Sequence, residues 1–261
     1  MVGMNSGVNS CEIEGKKVFF LMPSATTEHS VIEELVQQEY ELYVARDKDS
    51  IRRVLRKYPD SILFVDINER MPEKDWELWI RALMKAPDTA RVSVGIITAN
   101  NDDALRQKYL NTIKITSGYT VLKFGTEKSI RQIMEILHAA KAKGRRKFVR
   151  AIVGPDASAT VNIPIDGTFV KGRIRDISAV GIAFTLDGNP ELTKNTLLKD
   201  IQMVLQTTRV KVEGILFGSR VEKKETVYVM LFSQRVAPEV RSKIRSYIQL
   251  YLQGRMDEEL K

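Results

Sequence analysis

The sequence predicts two domains of different classes: an α/β doubly wound domain with a parallel sheet, followed by an antiparallel six-stranded β-barrel with a C-terminal helix. Three observations support this prediction. The 261 residues exceed the commonest size of a single domain. The hydrophobic pattern changes near residue 140. The charge also changes there, because residues 1–140 hold 19 Lys/Arg and 20 Asp/Glu whereas residues 141–261 hold 22 and 13. The C-terminal half is therefore expected to bind anions.

The N-terminal pattern alternates short β-rich runs with amphipathic helical stretches. Five such strand-and-helix units are expected, and alternation of this kind is typical of a parallel sheet covered by helices on both faces. The predicted strands are 18–21, 41–45, 62–65, 92–98 and 120–123.

The pattern changes after a last amphipathic helix near residues 128–142. A basic, glycine-containing segment at 141–147 follows, so we place the domains at 1–140 and 141–261, with a linker at about 139–150. Short β-rich runs separated by turn residues then predict the barrel. An amphipathic helix that begins near Pro238 completes it. The predicted barrel strands are 148–153, 168–174, 181–186, 201–205, 210–217 and 226–232.

Two short motifs open the barrel region. The first contains Arg146 and Arg150, and the second, Asp176-Ile-Ser178-Ala-Val-Gly181, begins 26 residues after Arg150. Together they resemble the signature of the PilZ family, whose members bind cyclic di-GMP. An arginine fork can pair with guanine O6 and N7, stack on the base and neutralise phosphate. Asp176 complements the guanine N–H donors, Ser178 can reach a phosphate or base edge, and Gly181 permits a close turn.

Each motif also has an ordinary structural interpretation. The arginines alone are typical of a basic linker, and an Asp, Ser and Gly sequence is typical of a turn. Their joint occurrence at the start of a barrel-like segment favours a cyclic di-GMP site. Arg145 could hold a second ligand molecule or could simply be solvated.

Residues 16–140 resemble a response-regulator receiver domain. Asp66 stands where receivers carry the phospho-acceptor, and Thr98 and Lys123 stand at their hydroxyl and lysine positions. Receivers place two acids at the end of the first strand, but this chain has Met22 and Pro23 there, which cannot ligate Mg²⁺. We therefore predict a domain that is not phosphorylated and that serves as a docking or dimerisation platform for an unidentified protein partner.

The composition argues against an enzyme. His29 and His138 are far apart in the sequence, and the chain contains neither a phosphate-binding glycine-rich loop nor a nucleophile elbow. We expect neither a metal nor a cofactor, only the ligand cyclic di-GMP. The single cysteine, Cys11, suits a reducing compartment, and the apolar runs are too short to insert in a membrane, so a cytoplasmic location is predicted.

A basic nucleic-acid-binding or scaffold protein without messenger binding is the alternative. The net charge of +8 gathered in one domain is typical of proteins that contact a phosphate backbone. The expected contacts would be Lys223, Lys224, Arg241, Lys243 and Arg245. No helix-turn-helix, zinc finger or aromatic RNA-stacking motif accompanies them.

Overall fold

A computed structural model describes residues 15–68, 70–122, 126–154 and 159–261. The contacts divide the chain into two units. The first contains the residues up to Lys147 together with Gln253–Lys261, and the second is Phe148–Leu252.

The first unit is built on a five-stranded parallel sheet with the order β2-β1-β3-β4-β5. This is the strand order of flavodoxin-like doubly wound folds, so the predicted class is confirmed. The strands are β1 (Val18–Leu21), β2 (Leu42–Ala45), β3 (Ile62–Asp66), β4 (Ser93–Thr98) and β5 (Tyr119–Val121).

Within the described residues, four helical segments connect these strands and a fifth follows β5. The last one ends three residues before the predicted end because Lys141 adopts a left-handed φ of 52° and Ala142 N–H donates back to Leu137 O at 2.9 Å. The helices are α1 (π-helical Thr27–Ile32, then α-helical Glu33–Gln37), α2 (Lys48–Lys57), α3 (Glu73–Lys85), α4 (α-helical Asp103–Gln107, then π-helical Lys108–Ile113) and α5 (Thr126–Ala139).

One face of the sheet packs on α1 and α5. Phe20 and Phe64 stack there with ring centroids 5.3 Å apart, and Leu35 of α1 and Ile133 of α5 belong to the same buried cluster. Parallel strands end at a common edge, so β3 and β4 bring Asp66 and Thr98 to the same side of the sheet.

The second unit is an antiparallel barrel. Six strands close a ring in the order β8-β7-β10-β11-β12-β9, which returns to β8, and the short strand β6 pairs beside the end of β8. The six-stranded class with a following helix is confirmed. The strands are β6 (Arg150–Ile152), β7 (Ala159–Ile165), β8 (Thr168–Ser178), β9 (Gly181–Leu186), β10 (Leu197–Leu205), β11 (Thr208–Glu222) and β12 (Glu225–Phe232), and α6 is Pro238–Leu260.

The predicted list of barrel strands omitted β7. Asn162 and Pro164 weaken its β pattern, and proline is unusual inside a sheet. In the structure Pro164 lies near the turn of the β7–β8 hairpin, opposite Phe169, and β7 closes the ring by pairing with both β8 and β10. The predicted run near 148–153 forms β6, which is an addition to that ring.

The barrel interior is filled by alternate residues of the strands. Phe184 and Tyr228 stack with ring centroids 5.5 Å apart, and Ile244 and Tyr247 of α6 belong to the same core. Burial raises the pKa of the Tyr247 phenol to about 12.

The last residues of α6 pack within the first unit. The Gln253 amide accepts from Val44 N–H at 2.8 Å and donates to Val44 O at 2.9 Å, so it pairs with the free backbone edge of β2. Lys57 of α2 also forms a salt bridge with Glu259 at 2.8 Å. None of the helices in the described ranges is long and apolar enough to cross a membrane.

Candidate functional site

The strand register brings the first motif to the second. β6 pairs antiparallel with the end of β8, so that Arg150 is opposite Ser178 and Ile152 is opposite Asp176. Arg150 Nη1 lies 3.7 Å from Asp176 Oδ2. This separation is longer than a hydrogen bond, so the two groups attract by charge while the guanidinium keeps the freedom to turn towards another acceptor.

The second motif forms the tight turn between β8 and β9. Ser178 is buried, and its hydroxyl donates to Gly181 O at 3.3 Å and accepts from Val180 N–H at 3.4 Å. A Cβ at position 181 would overlap the carbonyl oxygen of Met230 on β12. The close approach of β9 to β12 therefore requires glycine at this position. The sequence analysis had attributed this glycine to the turn.

Two further arginines lie near this motif and were missed by the sequence analysis. Arg175 stands at a β-bulge directly before Asp176 and forms a salt bridge with Glu225. The pKa of Arg220 is raised, mainly by its hydrogen bond to Glu222 and to a lesser extent by the charge of Asp176. Arg175 directly precedes the second motif in the sequence, whereas Arg220 is distant in the sequence and only the strand pairing brings it within electrostatic reach of Asp176.

Arg145 and Arg146 are exposed and belong to the segment between α5 and β6, on the first unit's side of the division. Arg150 belongs to the second unit. The arginine motif therefore extends across the boundary between the two units along the chain.

The receiver-like positions form a closed hydrogen-bond network at the end of β3. Asp66 is buried, and its Oδ2 accepts from Ser24 N–H at 3.1 Å and from the Thr27 hydroxyl at 3.4 Å. Its Oδ1 accepts from the backbone N–H and the side-chain amide of Asn68 at 3.2 and 3.1 Å. The Thr98 hydroxyl in turn donates to Asn68 Oδ1 at 2.9 Å. Both carboxylate oxygens are thus engaged by the protein's own donors.

The residues around Asp66 do not resemble a metal site. Met22 and Pro23 occupy the positions after β1, and within the described residues no group of three Asp, Glu, His or Cys side chains could hold a metal ion. Lys123 lies outside the described residues. The partners Ser24, Thr27 and Asn68 were not predicted, since only folding brings these short polar side chains to Asp66.

Residues 144–250 match the family model for the PilZ domain. A comparison of the whole sequence with curated proteins gave no match.

Solved structures resemble each half of the chain. The PilZ domain of YcgR from Escherichia coli with c-di-GMP has 16% identity and a TM-score of 0.37, and the match covers 44% of this chain and 96% of that one. The MrkH–c-di-GMP complex of K. pneumonia has 17% identity and a TM-score of 0.39, covering 44% of this chain and 57% of that one. The chemotaxis response regulator CheY4 of Vibrio cholerae has 16% identity and a TM-score of 0.39, covering 48% of this chain and 98% of that one. The family model thus places residues 144–250 in the PilZ domain family, and the α/β unit that precedes them has the strand order of flavodoxin-like folds.

Proposed function

We propose that this protein is a receptor for cyclic di-GMP and that Arg146, Arg150, Asp176, Ser178 and Gly181 form its binding site. The observation that carries the proposal is the placement of Arg150 beside Asp176, across paired strands of a domain that matches the PilZ family. The proteins named above whose structures contain c-di-GMP support the choice of ligand.

The chemistry of the site suits a guanine nucleotide. Asp176 can accept from the guanine N1–H and N2–H₂ groups, and the loosely paired Arg150 can turn to the O6 and N7 acceptors or to a phosphate. Ser178 holds the shape of the turn through its two hydrogen bonds, and Gly181 keeps β9 against β12. Arg146, four residues before Arg150, would add a second guanidinium, and Arg145 a third.

The direct test is a calorimetric titration of the full chain with cyclic di-GMP, with GMP as the ligand control. Loss of a charged hydrogen-bond partner typically weakens binding by about 1.5–3 kcal/mol, so Arg150→Ala and Asp176→Asn should each weaken it about tenfold or more. Arg209→Ala, which removes an exposed arginine of β11 outside both motifs, should leave the affinity unchanged. Equal affinities for all of these variants, or an equal response to GMP, would refute the proposed site.

The same variants separate this proposal from the nucleic-acid alternative. A polynucleotide complex that dissociates with rising salt, and that persists in Arg146→Ala/Arg150→Ala while the intact protein fails to bind cyclic di-GMP, would favour the alternative. Arg241, one of the cations expected to contact nucleic acid, instead donates to the carbonyl oxygens of Ala179 and Ser233 at 2.9 and 2.8 Å. Its guanidinium therefore has a structural role in the barrel.

We also propose that ligand binding orders residues 139–150 and so alters the domain arrangement, which a protein partner of the receiver-like unit would sense. Small-angle scattering with and without cyclic di-GMP tests this, and identical dimensions would contradict it.

The receiver-like unit is proposed not to be phosphorylated, since both oxygens of Asp66 already accept hydrogen bonds. Incubation with a small-molecule phosphodonor and Mg²⁺ should leave its mass unchanged.

A further inference from the structure

Four large apolar side chains are exposed on the outer face of the barrel. Leu197 and Ile215 are each 47% exposed, Phe217 is 58% exposed and Leu231 is 45% exposed. We refer to these four residues as the outer-face patch. Single exposed apolar side chains are common on proteins, whereas contiguous ones indicate an interaction surface.

The strand register makes the patch contiguous. Leu197 of β10 is directly opposite Ile215 of β11, and Ile215 is directly opposite Leu231 of β12. Directly opposed residues of antiparallel strands have Cβ atoms about 4.5–5.5 Å apart, so the three side chains form one row across three strands. The row is about 10 Å wide, which is close to the diameter of an α-helix.

A β-bulge places the fourth member. Leu216 pairs with Met230 and Gly218 pairs with Val229, so Phe217 is the extra residue of β11 between two regular pairs. Bulges redirect side chains, and this one directs an aromatic ring to solvent beside Ile215. Aromatic residues are the side chains most enriched at interface hot spots.

The charges around the patch are mainly positive. Lys194 Nζ lies 5.6 Å from the centroid of the Phe217 ring, and Lys199 is exposed two residues after Leu197 on the same strand. Glu213 precedes Ile215 on the same face, and Asp200 follows Lys199 but is paired with Lys211 at 2.6 Å, so Lys194 and Lys199 leave the rim with an excess of cations.

We infer that the outer-face patch is the docking surface for an acidic, amphipathic helical segment of another protein. An apolar helix face would cover the three-strand row and the Phe217 ring, and its flanking carboxylates would meet Lys194 and Lys199. A second copy of this chain is disfavoured, because two cationic rims would face each other. This inference goes beyond the proposed receptor function and does not depend on cyclic di-GMP binding.

The experiment measures the fluorescence anisotropy of a labelled peptide of about 18 residues, with leucines at helix positions i, i+3, i+4 and i+7 and glutamates elsewhere. Its partner is the full-length protein without cyclic di-GMP. Saturable binding is expected, with a loss of about tenfold or more in Ile215→Ser/Phe217→Ser. The matched control is Val221→Ser on the same strand, which removes another exposed apolar side chain and should leave the affinity unchanged.

A second pair of substitutions tests the charge requirement. Lys194→Glu/Lys199→Glu should weaken the glutamate peptide, and a peptide with lysines in place of the glutamates should bind more weakly to the intact protein. Leu197→Ser/Leu231→Ser provides an independent patch variant, and near-ultraviolet circular dichroism verifies that each variant is folded. Absence of peptide binding, equal binding of the lysine peptide, or equal affinities for patch and control variants would overturn the inference. Concentration-dependent dimerisation that the patch substitutions abolish would assign the surface to a second copy instead.

Discussion

Replacement of Asp66 tests whether its carboxylate is a structural acceptor. The substitution Asp66→Ala leaves four donors without their acceptor: Ser24 N–H, the Thr27 hydroxyl and two groups of Asn68. Asn68 is exposed and can bond to water, and the fully buried Thr27 hydroxyl keeps Ser24 Oγ, 2.9 Å away, as a second partner. The Ser24 N–H is half-buried and loses its acceptor, and a buried donor left unpaired costs about 1–3 kcal/mol, so we expect the first unit to lose about that much.

Asp66→Asn separates this interpretation from that of a vestigial acidic site. Where a carboxylate is held among other acids, loss of its charge relieves repulsion and stabilises the fold. Here the carboxylate accepts from four donors, and the amide would present an NH₂ group to one pair of them. Asp66→Asn should therefore lower the free energy of unfolding by about 1–2 kcal/mol.

Urea unfolding followed by tryptophan fluorescence measures this change. Both tryptophans of the chain, Trp76 and Trp79, lie on α3, so their emission reports the first unit alone. Asp88→Asn, which removes an exposed partner of Arg56, is the control and should change the free energy by less than about 1 kcal/mol. An Asp66→Asn variant as stable as the intact protein, or more stable, would refute the reasoning.

Three other predictions concern packing, the edge strand and pH. Gly181→Ala should destabilise the barrel by about 1–3 kcal/mol, because the added Cβ overlaps the facing carbonyl of β12. Gly218→Ala places its Cβ in open space and should destabilise the barrel less. Hydrogen exchange of the barrel amides compares the two variants. Gln253→Ala should lower the free energy of unfolding of the first unit by about 1–2 kcal/mol, because two hydrogen bonds to Val44 are lost. Gln253→Glu should cost at least as much, because a carboxylate cannot donate to the Val44 carbonyl. Both are measured by tryptophan-monitored unfolding, and variants as stable as the intact protein would contradict this prediction. Burial raises the folded-state pKa of Tyr247 to about 12, so its contribution to stability is fully present below pH 10 and is lost as the pH rises through 12. Between these pH values the stability of the barrel, measured by near-ultraviolet circular dichroism, should fall less steeply in Tyr247→Phe than in the intact protein. Equal slopes would exclude Tyr247 as the cause.

The sequence identified both folds because each has a local pattern. Alternating apolar strands and amphipathic helices predicted the parallel sheet, and close-spaced β-rich runs predicted the barrel. β7 was missed since Asn162 and Pro164 interrupt its pattern, although pairing with two neighbours stabilises it as a strand. Tertiary pairing overrode local propensity there.

The candidate site divides in the same way. The sequence alone indicated the two motifs, the PilZ resemblance and the loss of the acidic pair beside Asp66, because these depend on residue identity and short spacing. Tertiary structure decided which side chains meet. It placed Arg150 of β6 beside Asp176 of β8 and joined three strands into the outer-face patch. Contacts of this kind depend on strand register and bulges, which pair residues distant in the chain and leave no periodic signal in the sequence.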